Sequence, residues 1–286
     1  MQKIVLWIGV CRPYSFFASI CPILMGLIAL DSIPRPWVAV LTLLCGLMLQ
    51  VLSNLINDYY DYKRGADRAD REGPSRPLAE GVVTESQMRK ACFIVLALCI
   101  VLGAVLVAVG GWEILAVGLL SIFFAWIYTA TPYSLAYLGI ADIVCFLFYG
   151  PVAAAGTAWL QTGTLSWPAV FLGCVSGCAS VCVLATNNIR DIDGDRAVGK
   201  RTFPVRFGIP AAKAGIAVLI AGALAFMLAA TNDYAFSKLV FVPFAFSIFV
   251  FIKLLSAQGS QYNRWLFSFC ILNALYVVTA LVVKML

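Results

Sequence analysis

Histidine is absent from the chain, and charged residues make up only 12% of its 286 positions. The first absence removes the imidazole on which the usual zinc, haem and general-base sites depend. The second excludes a soluble domain, where about a quarter of residues carry charge. Ten cysteines are present, yet no Cys-x-x-Cys pair occurs among them. They fall almost wholly within apolar stretches, where a free thiol behaves as a small apolar group. Cys174, Cys178 and Cys182 share one helical face and read as helix packing rather than as a soft-metal site. The basic residues are interleaved with acids, which argues against a nucleic-acid partner.

What remains is strongly apolar: 62% hydrophobic residues and a mean hydropathy of +0.94. Crossing ~30 Å of hydrocarbon takes ~20 apolar residues. Nine runs qualify, at about 14–30, 36–57, 91–109, 113–129, 140–159, 167–188, 211–230, 236–255 and 265–284. Segments of a transmembrane β-barrel are shorter and half polar. The expected fold is therefore all-α: a polytopic membrane protein of nine transmembrane helices, forming a single domain over 1–286. The first run follows Lys3 and Arg12, no small-residue cleavage site follows it, and it reads as a retained span. With a cytoplasmic N-terminus, the segments on that side and their flanking helix ends carry all twenty Lys and Arg except Arg35, Lys238 and Lys284. That is the asymmetry of a protein held positive-side-in.

Two of those segments, 58–90 and 189–210, hold most of the acids. The first is entered through Asn54-Leu-Ile-Asn57-Asp58-Tyr-Tyr-Asp61, the second through Asn187-Asn188-Ile-Arg190-Asp191-Ile-Asp193-Gly-Asp195. Asn57 precedes Asp61 by the interval that separates Asn187 from Asp191 and Asp191 from Asp195, which suggests an internal repeat. Residues four apart share a helix face, so each cluster projects several oxygen ligands into one volume. Oxygen ligands suit Mg²⁺, which binds through one or two carboxylates plus substrate phosphates. Acids at the C-terminal ends of helices oppose the helix dipole and repel one another, which makes a cation in their midst favourable. Lys63, Arg64 and Arg71 follow the first cluster, and Arg190, Lys200 and Arg201 surround the second; such side chains grip phosphate. Asp70, Glu72, Glu80 and Glu85 read instead as a solvated face. Asp142, at the start of a span, is open to two readings: a functional intramembrane acid or a first-turn acid complementing a helix N-terminus.

These segments resemble the UbiA superfamily of intramembrane prenyltransferases, and the similarity extends over essentially the whole chain. Asn54 to Asp67 and Asn187 to Thr202, with Val205-Arg206-Phe-Gly208, are most similar to the 1,4-dihydroxy-2-naphthoate branch, the MenA family of menaquinone synthesis. By contrast, Arg76-Pro77-Leu78-Ala79-Glu80-Gly81 is similar to the 4-hydroxybenzoate branch. The resemblance implies an isoprenyl diphosphate donor, Mg²⁺, an aromatic quinone-precursor acceptor, and a bacterial inner membrane with the active site facing the cytoplasm. It implies Asn57, Asp61, Asp67, Asn188, Asp191 and Asp195 around the metal and diphosphate. It also implies Lys63, Arg64, Lys200 and Arg201 on phosphate, and Asp142 near the acceptor. Two rival readings fit less well. A CDP-alcohol phosphotransferase needs an Asp-Gly-x-x-Ala-Arg run, which does not occur. An ion-coupled transporter places its carboxylates near the bilayer midplane, whereas these lie at the rim.

Overall fold

A computed structural model of the chain describes residues 2–65, 76–130 and 134–286, with side chains from residue 6 onward. Its helices are α1 (Gln2–Cys11), α2 (Phe16–Ile28), α3 (Pro36–Lys63), α4 (Glu85–Ile127), α5 (Leu135–Leu138), α6 (Ala141–Phe148), α7 (Pro151–Thr162), α8 (Trp167–Arg190), α9 (Ile192–Ala197), α10 (Phe203–Thr231), α11 (Phe241–Leu255) and α12 (Gln261–Met285). No strand is present among the described residues.

Eight helical stretches among these residues are long and apolar enough to cross a membrane. The sequence pattern gave nine runs, and α4 accounts for the difference. Its 43 residues would extend about 64 Å if straight, twice the hydrocarbon thickness. At Gly111 the backbone turns to φ 79, ψ −161, outside the helical region and accessible chiefly to glycine. Both ends of α4 then meet the same end of α3. Cys92 packs with Ile56, and Trp126 stacks edge-on against Tyr60 at 5.8 Å. The middle of α4, at Leu106 and Ile114, packs instead with Val38 at the start of α3. The element is thus a helical hairpin whose arms coincide with the runs at 91–109 and 113–129. Its turn is close: a Cβ on Gly110 would lie 2.3 Å from Ile114 Cγ1 and 2.8 Å from Leu160 Cδ2. A break frees backbone groups that lipid cannot satisfy, and the Trp159 indole donates to the Gly110 carbonyl at 3.0 Å. At its first turn, Thr84 and Gln87 form a capping box, with Thr84 Oγ1 accepting from the Gln87 amide at 3.2 Å and Gln87 Oε1 from the Thr84 amide at 2.9 Å.

Helix α8 is the buried centre, packed against α2, α7, α10 and α12. Small residues set these close approaches, as expected where lipid supplies no hydrophobic drive. A Cβ on Gly173 would meet Pro151 Cα at 2.8 Å, and one on Gly177 would meet the Phe146 carbonyl at 2.7 Å. Cys174, Cys178 and Cys182 are buried and free. Cys178 and Cys182 pack with Met25, Ile216, Ala223 and Tyr276 in the main core.

Two bases on the side opposite the acid clusters, Lys284 and Arg35, cap backbone. Lys284 donates to the carbonyls of Ile28, at 2.7 Å, and Leu30 at the end of α2. Arg35 donates to the Leu160 carbonyl at 3.2 Å and pairs through its backbone with Gln161.

Candidate active site

Helices α3 and α8 end on the same side, and the polar residues of their last turns face each other. The α3 end supplies Asn57 and Asp61; the α8 end, with α9, supplies Asn187, Asn188, Asp191 and Asp195. Together with Lys200, Tyr128 and Asp142 they line a polar cavity of about 570 Å³. Lys200 joins the two halves. Its Nζ lies 3.2 Å from both oxygens of Asp61 and 3.6 Å from Asp195 Oδ1. Thr202 Oγ1 donates to Asp195 Oδ2 at 3.5 Å. Burial raises the Asp195 carboxyl to about 6 against the pull of Lys200, with Asp191 and Asp61 pushing the same way as burial. Burial disfavours the charged Lys200 ammonium, but Asp61 and Asp195 outweigh it and its pKa is raised.

Asp191 is held from its own helix. The Arg190 guanidinium donates to both of its oxygens, at 2.8 and 2.7 Å, and also to Asn187 Oδ1 at 2.8 Å and Asn263 Oδ1 at 2.6 Å. Asn187 Nδ2 reaches Asp191 Oδ2 at 3.4 Å. Arg190 is thereby a scaffold for Asp191 and Asn187, fixed in turn by α12. On the α3 side, Asp58 is buried and takes Arg12 and Arg76 on one oxygen. Arg12 itself sits at φ 53, in the left-handed region.

The other sequence candidates lie elsewhere. Lys63 is half exposed and pairs with Glu85 at 3.6 Å. Arg64 stacks over the Tyr137 ring at 4.6 Å, and Arg201 is exposed, its amide bonded to the Ala136 carbonyl at 3.1 Å. None of these three is on the cavity wall. Asp67, Asp70, Arg71 and Glu72 lie outside the described residues. Asp142 occupies the first turn of α6 and also faces the cavity; its Oδ1 is buried without a hydrogen-bond partner. Arg76, Tyr128 and Tyr262 also stand on the wall, without having been assigned a site role from sequence. Asn187, which precedes Asp191 by the interval separating Asn57 from Asp61, is there as its spacing implied.

A second cavity of about 640 Å³ runs down from this one. Asn57, Arg76, Tyr128 and Asn187 line both, so the two share a wall. The second is mostly apolar, bounded by α2, α3, both arms of α4, α7 and α8. Several α4 residues that line it, Ile100, Leu115 and Leu119, are also 55%, 45% and 60% exposed on the outer surface.

Among the described residues, no three carboxylates close on one point. Mg²⁺ does not need three, since it takes one or two carboxylates with waters and substrate phosphate. Asp61, Asp191 and Asp195 offer only oxygen, and Asp61 Oδ1, though 3.2 Å from Lys200 Nζ, is buried and takes no aligned hydrogen bond. The residues fit.

A helical membrane bundle with paired acid clusters over an apolar chamber has counterparts among known proteins. The chain belongs to the UbiA prenyltransferase family, whose model matches residues 19–275. It is an enzyme of the prenyltransferase class. It is 35% identical over 226 residues to the 1,4-dihydroxy-2-naphthoate octaprenyltransferase of Escherichia coli, covering 76% of this chain and 73% of that one. The octaprenyltransferase of the same name from Mycobacterium tuberculosis is 32% identical over 250 residues, 86% and 85% of the two chains. In fold, it superposes on a UbiA homolog from Archaeoglobus fulgidus bound to GPP and Mg²⁺ with a TM-score of 0.71, covering 98% and 99% of the two chains at 18% identity.

Proposed function

We propose that the whole chain, 1–286, is one prenyltransferase domain that moves a polyprenyl group from an isoprenyl diphosphate to an aromatic quinone precursor, 1,4-dihydroxy-2-naphthoate. The observation that carries this reading is the shared wall: a charged chamber that suits a diphosphate adjoins an apolar one that suits a prenyl tail. The naphthoate relatives support the acceptor, and GPP and Mg²⁺ in the Archaeoglobus homolog support the donor and the cofactor. Menaquinone synthesis follows from that acceptor.

Asp61, Asp191 and Asp195, with Asn57 and Asn188 and with Asp67, would hold Mg²⁺, which neutralises charge on the departing diphosphate. Lys200 adds a positive charge on the same chamber. Arg190 keeps Asp191 and Asn187 in register for that task, as a pre-set arrangement needs no reorganisation during reaction. The prenyl tail enters from lipid between the arms of α4 and fills the apolar chamber. The same walls keep water from the allylic carbon, which becomes electron-poor as its bond to oxygen breaks. Tyr128 and Tyr149 line the chamber near that point, and aromatic faces favour positive charge. Asp142, on the wall of the polar chamber, would lie near the acceptor. The acid clusters face the cytoplasm of a bacterial inner membrane, following the basic-residue asymmetry.

Purified protein with Mg²⁺, radiolabelled prenyl diphosphate and a panel of aromatic acceptors tests the reading. Label should pass to 1,4-dihydroxy-2-naphthoate and stop when divalent metal is chelated. Transfer to no aromatic acceptor would overturn it. Cysteine labelling from either side of the membrane checks the orientation; a thiol beside Asp193 that reacts only from outside would reverse it.

A further inference from the structure

Residues 199–208 run along the polar chamber and present a different face to each side. They lie between two glycines of positive φ, Gly199 at 76 and Gly208 at 85, and the second separates them from the long arm of α10. Lys200, Arg201 and Thr202 are not helical, and in extended chain successive side chains point opposite ways. Lys200 and Thr202 line the chamber, where they reach Asp61 and Asp195. Arg201, between them, is exposed. The first turn of α10 continues that outer face. Phe203 is 37% and Phe207 55% exposed, their ring centroids are 4.8 Å apart, and the exposed Arg206 lies 5.1 Å over the Phe207 ring. The face is seated on Gly139: a Cβ there would meet the Arg201 carbonyl at 2.5 Å and Arg206 Nη1 at 3.0 Å. Among the described residues neither guanidinium has an acidic partner, whereas Arg196 nearby pairs with Asp193 at 3.2 Å.

The depth of this face is set by α10. Ile209 and Ala212 pack in the main core with Ile189, and from there residues 209–231 extend about 34 Å, enough to cross the hydrocarbon. Residues 201–207 therefore stand at headgroup level, where aromatic rings collect and where bases meet the negative charge of anionic lipids. Two guanidiniums beside two rings match a molecule with phosphate at one end and hydrocarbon at the other; inorganic phosphate alone would leave the rings uncovered. We propose that this outer face seats an anionic phospholipid of the leaflet on the acid-cluster side, with Arg201 and Arg206 on its phosphate and Phe203 and Phe207 against the start of its acyl chains. The same segment carries Lys200 and Thr202 on its inner face, so the lipid steadies the side chains that hold Asp61 and Asp195. The lipid contact goes beyond the function proposed above; its effect on turnover rests on that reading.

The test has a binding arm and a turnover arm. In the first, the full chain in detergent is mixed with equal phosphatidylglycerol and phosphatidylcholine, and the lipid it retains is counted by native mass spectrometry. Wild type should prefer phosphatidylglycerol. Arg201→Gln with Arg206→Gln should lose that preference by roughly fivefold for each arginine, and Arg206→Lys should keep most of it, because the attraction is one of charge. If the double variant does not fold, Arg206→Gln alone decides, at about one-fifth of the wild-type preference. In the second arm, prenyl transfer is measured in phosphatidylcholine vesicles with and without phosphatidylglycerol. The anionic lipid should speed wild type severalfold and leave Arg206→Gln at its rate in neutral vesicles. Equal retention by wild type and the double variant overturns the lipid surface. So does inorganic phosphate that replaces phosphatidylglycerol in stimulating neutral vesicles, or isoprenyl diphosphate that displaces the retained lipid. Arginine-dependent retention with no response of turnover to the lipid overturns the coupling to the chamber. A chain that retains the lipid through these arginines but prenylates no aromatic acceptor removes the function reading and leaves the surface standing.

Discussion

The acids at the end of α3 and those at the end of α8 look alike in sequence, but they are held in different ways. On α3, Asp58 is consumed by Arg12 and Arg76, which come from the α1–α2 junction and from the far side of the 58–90 segment. Asp61, one turn on, meets Lys200 from the other half of the chain. On α8, the scaffold is local: Arg190 grips the carboxylate next to it. Asp195 shares Lys200 with Asp61. Each end therefore combines an arginine-anchored carboxylate with one that faces a shared lysine, and equal charge does not mean equal work.

The largest expected effect is on the anchored member of α3. Asp58→Ala leaves two buried guanidiniums without their common carboxylate, and removing one partner of a buried pair costs about 3–5 kcal/mol. Thermal unfolding of the detergent-solubilised protein would show it; an Asp58→Ala variant as stable as wild type would remove the scaffold role. Next come Asp61→Ala and Asp191→Ala. If each acts on the departing diphosphate, each should slow transfer by ~10²–10³, about 2.7–4 kcal/mol, at saturating Mg²⁺. The double variant should lose much less than the product of the two, because they work as a unit. Near-normal rates in folded single variants would place the active site elsewhere.

A smaller effect follows from the Cys174, Cys178 and Cys182 row. With all three thiols buried, replacement by Ala should keep roughly half or more of the transfer rate, apart from modest packing losses. A metal-dependent collapse would turn the row into a metal site. The smallest effect belongs to Lys63→Ala. Its partner Glu85 and Lys63 itself are 49% and 46% exposed, and such pairs contribute ~0–1 kcal/mol. A fall of ~10² in rate would instead bring Lys63 to the diphosphate.

Much of the fold was legible because membrane helices announce themselves by length. The nine runs correspond to the crossings of the bundle once α4 is seen to double back, and Gly110-Gly111 fall in the gap between two of them. Helical spacing also brought Asn57, Asp61, Asn188, Asp191 and Asp195 to one chamber. Spacing along one element, however, does not say what arrives from another. The Arg12–Asp58–Arg76 cluster joins residues 46 and 18 positions apart, and Lys200 reaches Asp61 across 139. Lys63, Arg64 and Arg201 have the right charge and neighbourhood, but the phase at a helix end turns them toward Glu85, Tyr137 and solvent.

The hairpin in α4 bears on how the protein is made. Two of its most apolar crossings are joined by a pair of glycines and not by a loop, so almost nothing polar must be carried across the bilayer between them apart from Glu113. The two arms can enter the membrane together as one folded unit. A protease added from the side on which Gly110-Gly111 lie would find no tether there to cut.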